Sequence, residues 1–339
     1  MKVAIIAGNY GTYKPDGGTN GPAVVAFNLA KSLNLHSDID FNMYVRSDID
    51  PRCEQPNVER LEDKHLTREN LYQFDAVHVL SDKNLALRVS DLGYQPIIGT
   101  NVLFDVPHPE FIKPEDRPRL EGVIKQEEEL CRRDWGLALV PNEQLVSHFA
   151  RRLGLPEDRV ISFPCGIDTD LFKPGDHERK HIMWAGPGEK KGQDLIEKLA
   201  ALYPEESWVL KGKDSPFDYF GNIHDLQRAK IYISASRAET QGIATMEAMA
   251  AGVPVVLARH KYDAHDGLGY VERDPHYCVE AAFVTSRDVA EIKSAMDTLL
   301  KSQALRTQLG GAGRDYIDAS FTLKHMADNY AQVLERYSS

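Results

Sequence analysis

In the stretch ETQGIATMEAMAAGVPVV, residues 239–256, two carboxylates stand eight residues apart. Glu239 comes just before a helix begins and Glu247 lies about one and a half turns into it. Gly242 sits where the chain turns into that helix, and Met246, Met249 and Ala250 recur at the three- and four-residue spacing of an apolar face. Gly252 and Pro254 stop the helix, and Val255-Val256-Leu257 then reads as a strand buried on both faces. A carboxylate near an apolar stripe is costly unless something pairs with it. Glu247 is therefore either a solvated residue on the helix edge or a group kept for function.

Two glycine-rich loops carry the other chemistry. In GNYGTYKPDGGTNGP (8–22), Gly17 and Gly18 let backbone approach a bulky anion, and Thr19 or Asn20 can cap the helix that follows. Helix N-terminal amides favour a phosphate at such a place, although a loop of this kind also serves as a plain turn. In GPGEKKGQDL (186–195), which opens on Gly186, Lys190 and Lys191 fall just before a helix start. A cation there faces a diphosphate bound at the helix end; two adjacent lysines equally suit plain surface. No GxGxxG fingerprint and no GK[ST] phosphate loop is present, nor HExxH, GxSxG or a Cys/His zinc pattern. The DID triplets (38–40, 48–50) read as loops and DTD (168–170) as linker, so no metal site is expected. His224, His260 and His265 read as surface residues.

These loops need a frame of alternating strands and helices. Strands are expected at 2–8, 41–45, 76–80, 96–100 and 137–140, with helices at 22–33 and 119–135. The second helix carries Glu127, Glu128 and Glu129 beside Arg132 and Arg133, the pattern of a solvated face rather than a membrane anchor. A Pro-, Gly- and charge-rich break at 162–180 precedes a second series of strands at 181–186, 207–212, 230–236 and 254–258. The amphipathic stretch 320–337 returns to the first series. The expected organisation is an N-terminal domain of 1–164, a C-terminal domain of 165–319, and 320–339 packing back on the first.

Composition agrees with two ordinary globular domains: 339 residues, 42% hydrophobic and 27% charged. A net charge of −11 argues against a broad basic footprint for nucleic acid or anionic membrane, while leaving a nucleic-acid acceptor open. Cys53, Cys131, Cys165 and Cys278 show no paired spacing and read as reduced thiols. MKVAIIAG is too short in its apolar core for a signal peptide, and no apolar run approaches the roughly 20 residues that span a bilayer. The expectation is a soluble, cytoplasmic protein.

Taken together, Glu239 and Glu247 with EAMAAGVPVV resemble the E-x7-E motif of retaining glycosyltransferases of GT-B fold, family 4 in particular. FPCGIDTDLFKP (163–174) resembles that family's PNGVDTxxFxP, GPGEKKGQDL its GRxxxxKGxDxL, and FDAVHVL (74–80) its DVVHVH strand. DGGTNGP with NLAKSL resembles its first glycine loop and helix. The resemblance implies an α/β fold of two Rossmann-like domains facing across a cleft. It also implies a nucleoside diphosphate sugar as donor substrate, with no further cofactor and no metal. By the same resemblance Glu247 accepts hydrogen bonds from the ribose hydroxyls, which suits an acceptor-only group on a rigid helix. Glu239 faces the donor sugar, the amides around Gly242 and Ile243 cradle the diphosphate, and Lys191 supplies a cation to it. Gly17, Gly18 and Gly186 line the donor side.

The sequence departs from the family at three positions. Pro187 replaces the arginine of GR, leaving Lys190 or Lys211 as the substitute cation. Asn101 is the nearest polar residue where a histidine is often found, and Cys165 replaces the linker asparagine. The segment from Gly212 to His224 is also short, which bears on the base pocket. The expected reaction is glycosyl transfer to an acceptor hydroxyl with the anomeric configuration retained, under domain closure that excludes water. A nucleotide-sugar epimerase or hydrolase and a non-catalytic nucleotide-sugar binder stand as alternatives on the same fold. Free sugar or an epimer formed without acceptor marks the first, and donor binding without turnover the second. A nicotinamide oxidoreductase lacks its fingerprint. Neither the acceptor nor the base has a readable code.

Overall fold

The computed structural model describes residues 1–11, 21–101, 117–186, 188, 191–212, 219–237, 239, 241–258 and 281–339. Gly17, Gly18, Thr19, Asn20, Pro187, Lys190, His260, His265 and Cys278 lie outside the described residues.

The first seven strands are β1 (Lys2–Ala7), β2 (Asp40–Val45), β3 (Val58–Arg60), β4 (Ala76–Ser81), β5 (Ile97–Asn101), β6 (Leu137–Val140) and β7 (Val160–Ser162). They form one parallel sheet in the order β3-β2-β1-β4-β5-β6-β7. Its helices are α1 (Gly21–His36), α2 (Arg68–Leu71), α3 (Lys83–Asp91), α4 (Arg117–Leu130) and α5 (Val146–Leu153). Side chains alternate along each strand, so Val3, Ile5 and Ala7 pack with α1 residues such as Phe27 and Leu29. Ala4 and Ile6 face the other way, with Leu85 of α3 and Phe149 of α5. Both faces are thus covered, which is why these strands read as unbroken apolar runs.

The second sheet contains β8 (His181–Ala185), β9 (Ser207–Lys211), β10 (Ala229–Ser234), β11 (Val255–Ala258) and β12 (Phe283–Thr285). Its order is β12-β11-β10-β8-β9, again parallel. The helices of this half are α6 (Gln193–Ala201), α7 (Tyr219–Gln227), α8 (Ile243–Ala250), α9 (Val289–Lys301), α10 (Gln303–Ser320) and α11 (Leu323–Ser338). Met183 of β8 joins the core with Met246 and Met249 of α8, while Ile182 and Trp184 join Leu195 of α6 and Met296 of α9.

Residues 163–180 connect the two sheets without helix or strand. α11 lies against α1, where Ser32 Oγ donates to the Leu323 carbonyl (2.6 Å). Tyr330 of α11 reaches His78 Nδ1 in β4 (3.0 Å), and the Tyr337 hydroxyl donates to the Gln95 carbonyl (3.0 Å). The connection itself is tied to α1 by the Lys31–Asp168 ion pair.

Three details differ from the expectations. The helix placed at 119–135 ends at Leu130, because buried Trp135 turns back and its indole donates to the Leu130 carbonyl (2.9 Å). Glu127 is buried rather than solvated, between Lys83 Nζ (2.9 Å) and Arg152, while Glu128 and Glu129 remain exposed beside Arg132 and Arg133. β3, β7 and β12, each three residues long, are edge strands that the apolar pattern does not announce.

Candidate active site

Each strand order reverses direction once, between β1 and β4 in the first sheet and between β8 and β10 in the second. At such a point the loops leaving neighbouring strands part to opposite faces and open a crevice at the carboxyl ends. A cavity of about 420 Å³ occupies this place. Leu80 and Gly99 reach it from the first sheet, and Gly186, Ser234 and Ser236 from the second. The start of α1, including Val24 and Val25, forms an apolar wall opposite the polar groups of the second half.

α8 aims its positive end into the cavity. Gly242, its N-cap, takes φ 75° and ψ 50°, a left-handed conformation that favours glycine, and no side chain caps the first turn. Gly242, Ile243 and Ala244 line the cavity, which places the amides at the open end of the helix beside it; of the first turn, only the Thr245 N–H is already used among the described residues, on the Gly242 carbonyl (2.9 Å). At the far end Arg314 Nη1 donates to the Ala250 carbonyl (2.8 Å), and Arg179 Nη2 to those of Ala251 (3.0 Å) and Gly252 (2.9 Å). Cations at the negative end of the dipole fix the helix in this sense. Gly310 of α10 makes the approach possible, since a Cβ there would lie 2.2 Å from the Gly252 carbonyl oxygen.

Glu247 is 3% exposed, yet it lines the cavity. Its carboxylate has no hydrogen-bond or ion-pair partner among the described residues. Burial pushes the carboxyl up to about 8, because desolvation penalises the charged form. Of the two readings of Glu247, the solvated helix edge is therefore excluded. Hydroxyl donors brought by a ligand would favour its charged form, an acceptor-only carboxylate.

Glu239 stands on the loop after β10, where Ser236 Oγ donates to its Oε1 (2.7 Å) and Lys191 forms an ion pair with the same oxygen. Lys191 reaches this position because two glycines make room. A Cβ on Gly186 would lie 2.7 Å from Lys191 Cγ, and one on Gly192, at φ 81°, 2.0 Å from the Ala235 carbonyl oxygen. The Trp184 indole donates to the Lys191 carbonyl (3.1 Å) and holds the loop from below.

The structure thus brings together Glu239, Glu247, Lys191, Gly186, Gly242 and Ile243. It does not bring Lys211 there: that lysine ends β9 on the sheet edge, and its ammonium pairs with Asp225 (2.6 Å) outside the cavity lining. Its place outside that lining sets it apart from Lys191, which is ion-paired as well but lines the cavity. Asn101 closes β5, opposite Ser81 of β4, two residues beyond the cavity-lining Gly99. Sequence reasoning missed Ser236, Gln241 and the arginines behind α8. Gly310 and Gly313, three apart on one helix, were the available signal for close packing there. Among the described residues no group of His, Cys, Asp and Glu is placed to hold a metal, no disulfide forms, and no helix is long and apolar enough to cross a membrane.

An acceptor-only carboxylate, an uncapped helix start and a lysine around one cavity suit a ligand with hydroxyls at one end and phosphates beside them. The sequence model of the family Glycosyl transferases group 1 matches residues 185–316, which hold most of this machinery. Solved structures of similar fold include sucrose-phosphate synthase from Thermosynechococcus elongatus, at 16% identity and TM-score 0.67, covering 99% of each chain. Anabaena HepE in complex with UDP-glucose matches at 15% identity and TM-score 0.67, covering 99% of each chain. WaaG, a glycosyltransferase involved in lipopolysaccharide biosynthesis, matches at 15% identity and TM-score 0.62, covering 98% of this chain and 99% of its own. No curated protein matches the sequence. At these identities the likenesses speak for the fold, two Rossmann-like domains in GT-B arrangement.

Proposed function

We propose, from the match of residues 185–316 to the group 1 glycosyltransferase model and from the GT-B fold, that the chain is a retaining, metal-independent glycosyltransferase. It takes a nucleoside diphosphate sugar as donor and a hydroxyl compound as acceptor. The observation that carries this reading is Glu247, a buried carboxyl group with no partner among the described residues, lining the same cavity as the start of α8.

In the reaction the bond from the anomeric carbon to the diphosphate breaks and a bond to the acceptor oxygen forms, with the acceptor proton released. Glu247 takes the ribose hydroxyls and the amides of Gly242 and Ile243 take the diphosphate. Lys191 leaves its ion pair with Glu239 for the charge that builds on the leaving group, and Glu239 is then available to the sugar hydroxyls. Fixed donors aimed at developing charge stabilise the transition state more than the ground state. The sequence resemblance alone assigns Gly17, Gly18 and Lys190 to the donor side and Asn101 to the reacting centre. A cation and a helix dipole do here what a divalent metal does elsewhere. Reduced thiols and a nucleotide-sugar donor fit a cytoplasmic setting.

Calorimetric titration with UDP, GDP and ADP in excess EDTA tests the reading. One of them is expected to bind with a Kd below about 100 μM, more than 5 kcal/mol of binding free energy. Absence of binding by all three, or binding restored only by manganese or magnesium, would remove the proposal.

A further inference from the structure

Between the two groups assigned to the donor, Glu239 and Gly242, stands Gln241, a polar side chain only 3% exposed. Its amide meets both backbone groups of one residue in the connection between the sheets. Cys165 N–H donates to Gln241 Oε1 (2.8 Å), and Gln241 Nε2 donates back to the Cys165 carbonyl (2.8 Å). The remaining Nε2 hydrogen points to Met246 Sδ in α8 (3.4 Å). Both hydrogen-bonding ends of the amide are thus engaged, in the reciprocal pattern that one strand makes with another.

The backbone that Gln241 grips is also held from α1 and α11, through the next residue. Asn28 Nδ2 of α1 donates to the Gly166 carbonyl (2.8 Å), and Gly166 N–H points to Met326 Sδ of α11 (3.3 Å). Gly166 is so close to α11 that a Cβ on it would lie 2.7 Å from the Thr322 carbonyl oxygen. The Tyr219 hydroxyl at the start of α7 donates to Asn28 Oδ1 (3.4 Å).

We propose that Gln241 is a positioning residue: its amide fixes it against the Cys165 backbone, so that the donor-binding groups on either side of it, Glu239 and Gly242, are set in register with the wall contributed by α1. The inference rests on the reading of the cavity as a donor site. The mechanical reason is plain. The left-handed turn at Gly242 has no side-chain cap to hold it, and Gln241 is the residue next to it whose side chain is anchored.

The test uses two near-isosteric variants of the full chain. Gln241→Leu removes both hydrogen bonds at every pH. Gln241→Glu restores them only when protonated, since a carboxylic acid accepts from the Cys165 N–H and donates to its carbonyl while a carboxylate cannot donate. Kd for UDP is measured at pH 6 and pH 8 and divided by that of the unsubstituted protein, which cancels the titration of Glu239, Glu247, Lys191, Tyr219 and Cys165. Gln241→Leu is expected to weaken UDP at least tenfold at both pH values; Gln241→Glu, at least tenfold at pH 8 and less than threefold at pH 6. Gln241→Leu binding like the unsubstituted protein overturns the inference, even if Gln241→Glu is weak at pH 8, because charge repulsion alone then explains the defect. Hydrogen exchange without nucleotide provides a second arm, with the Cys165 amide expected to exchange at least tenfold faster in Gln241→Leu. An unchanged exchange rate overturns the clamp. If the unsubstituted protein binds no nucleotide while the exchange rate does rise, the donor reading falls and the clamp stands.

Discussion

Replacing Glu247 with Gln is expected to make the protein more stable and less able to bind nucleotide, and the first effect follows directly from the geometry. The carboxyl titrates at about 8 in the folded chain against an ordinary 4.5. Between those values the folded chain holds a proton that the unfolded chain has lost, so the stability this group contributes is complete below the unfolded value and fades as pH rises through the folded one. At about 1.4 kcal/mol per pKa unit, the penalty is roughly 1 kcal/mol at pH 5.5 and roughly 4 kcal/mol at pH 8. Water entering the cavity would lower the second figure to ~2. A glutamine at 247 is neutral throughout and carries no such penalty. Urea unfolding of both proteins at the two pH values reads the difference: the advantage of Glu247→Gln should widen by about 1–3 kcal/mol on going from pH 5.5 to pH 8. A constant gap, or a variant that loses stability as pH rises, would mean that Glu247 is solvated or paired. The central observation about the cavity would then be wrong.

Lys191→Ala is expected to lower turnover roughly a hundredfold or more, close to the ~2.7–4 kcal/mol typical of a lost electrostatic stabiliser; a loss within about threefold in a steady-state assay would show that this lysine does not meet the leaving group. Lys211→Ala should change turnover less than threefold, because it pairs with Asp225 at the sheet edge, outside the cavity lining, and a hundredfold loss would return it to the site. Glu239→Gln should spare the affinity for the nucleoside diphosphate and lower turnover of the intact sugar donor at least tenfold. Equal losses in both would place Glu239 on the nucleotide instead.

The readable parts of this protein were those in which one physical requirement recurs along the chain. Strands covered on both faces produce apolar runs, and β1, β4, β6 and β11 fall within a residue or so of where such runs stand. α8 was legible because Gly242, the Met and Ala spacing, and Gly252 mark its start, face and end. Three-residue edge strands carry too few side chains for a period to show. Side-chain partnerships were less legible still. Lys211 reads as a free cation in sequence, and only the fold sets Asp225 beside it. Glu127 belongs by sequence to a charged run, yet three helices converge to bury it between Lys83 and Arg152. Gln241 lies 76 residues from the backbone that it holds, a distance over which no local pattern extends.

The most direct measurement is a crystal structure of the protein with UDP. The ribose hydroxyls are expected at roughly 2.5–3.2 Å from the Glu247 carboxylate, with the diphosphate on the amides of Gly242 and Ile243 and within reach of Lys191. Nucleotide bound elsewhere, or in the cavity with its ribose turned away from Glu247, would contradict the account.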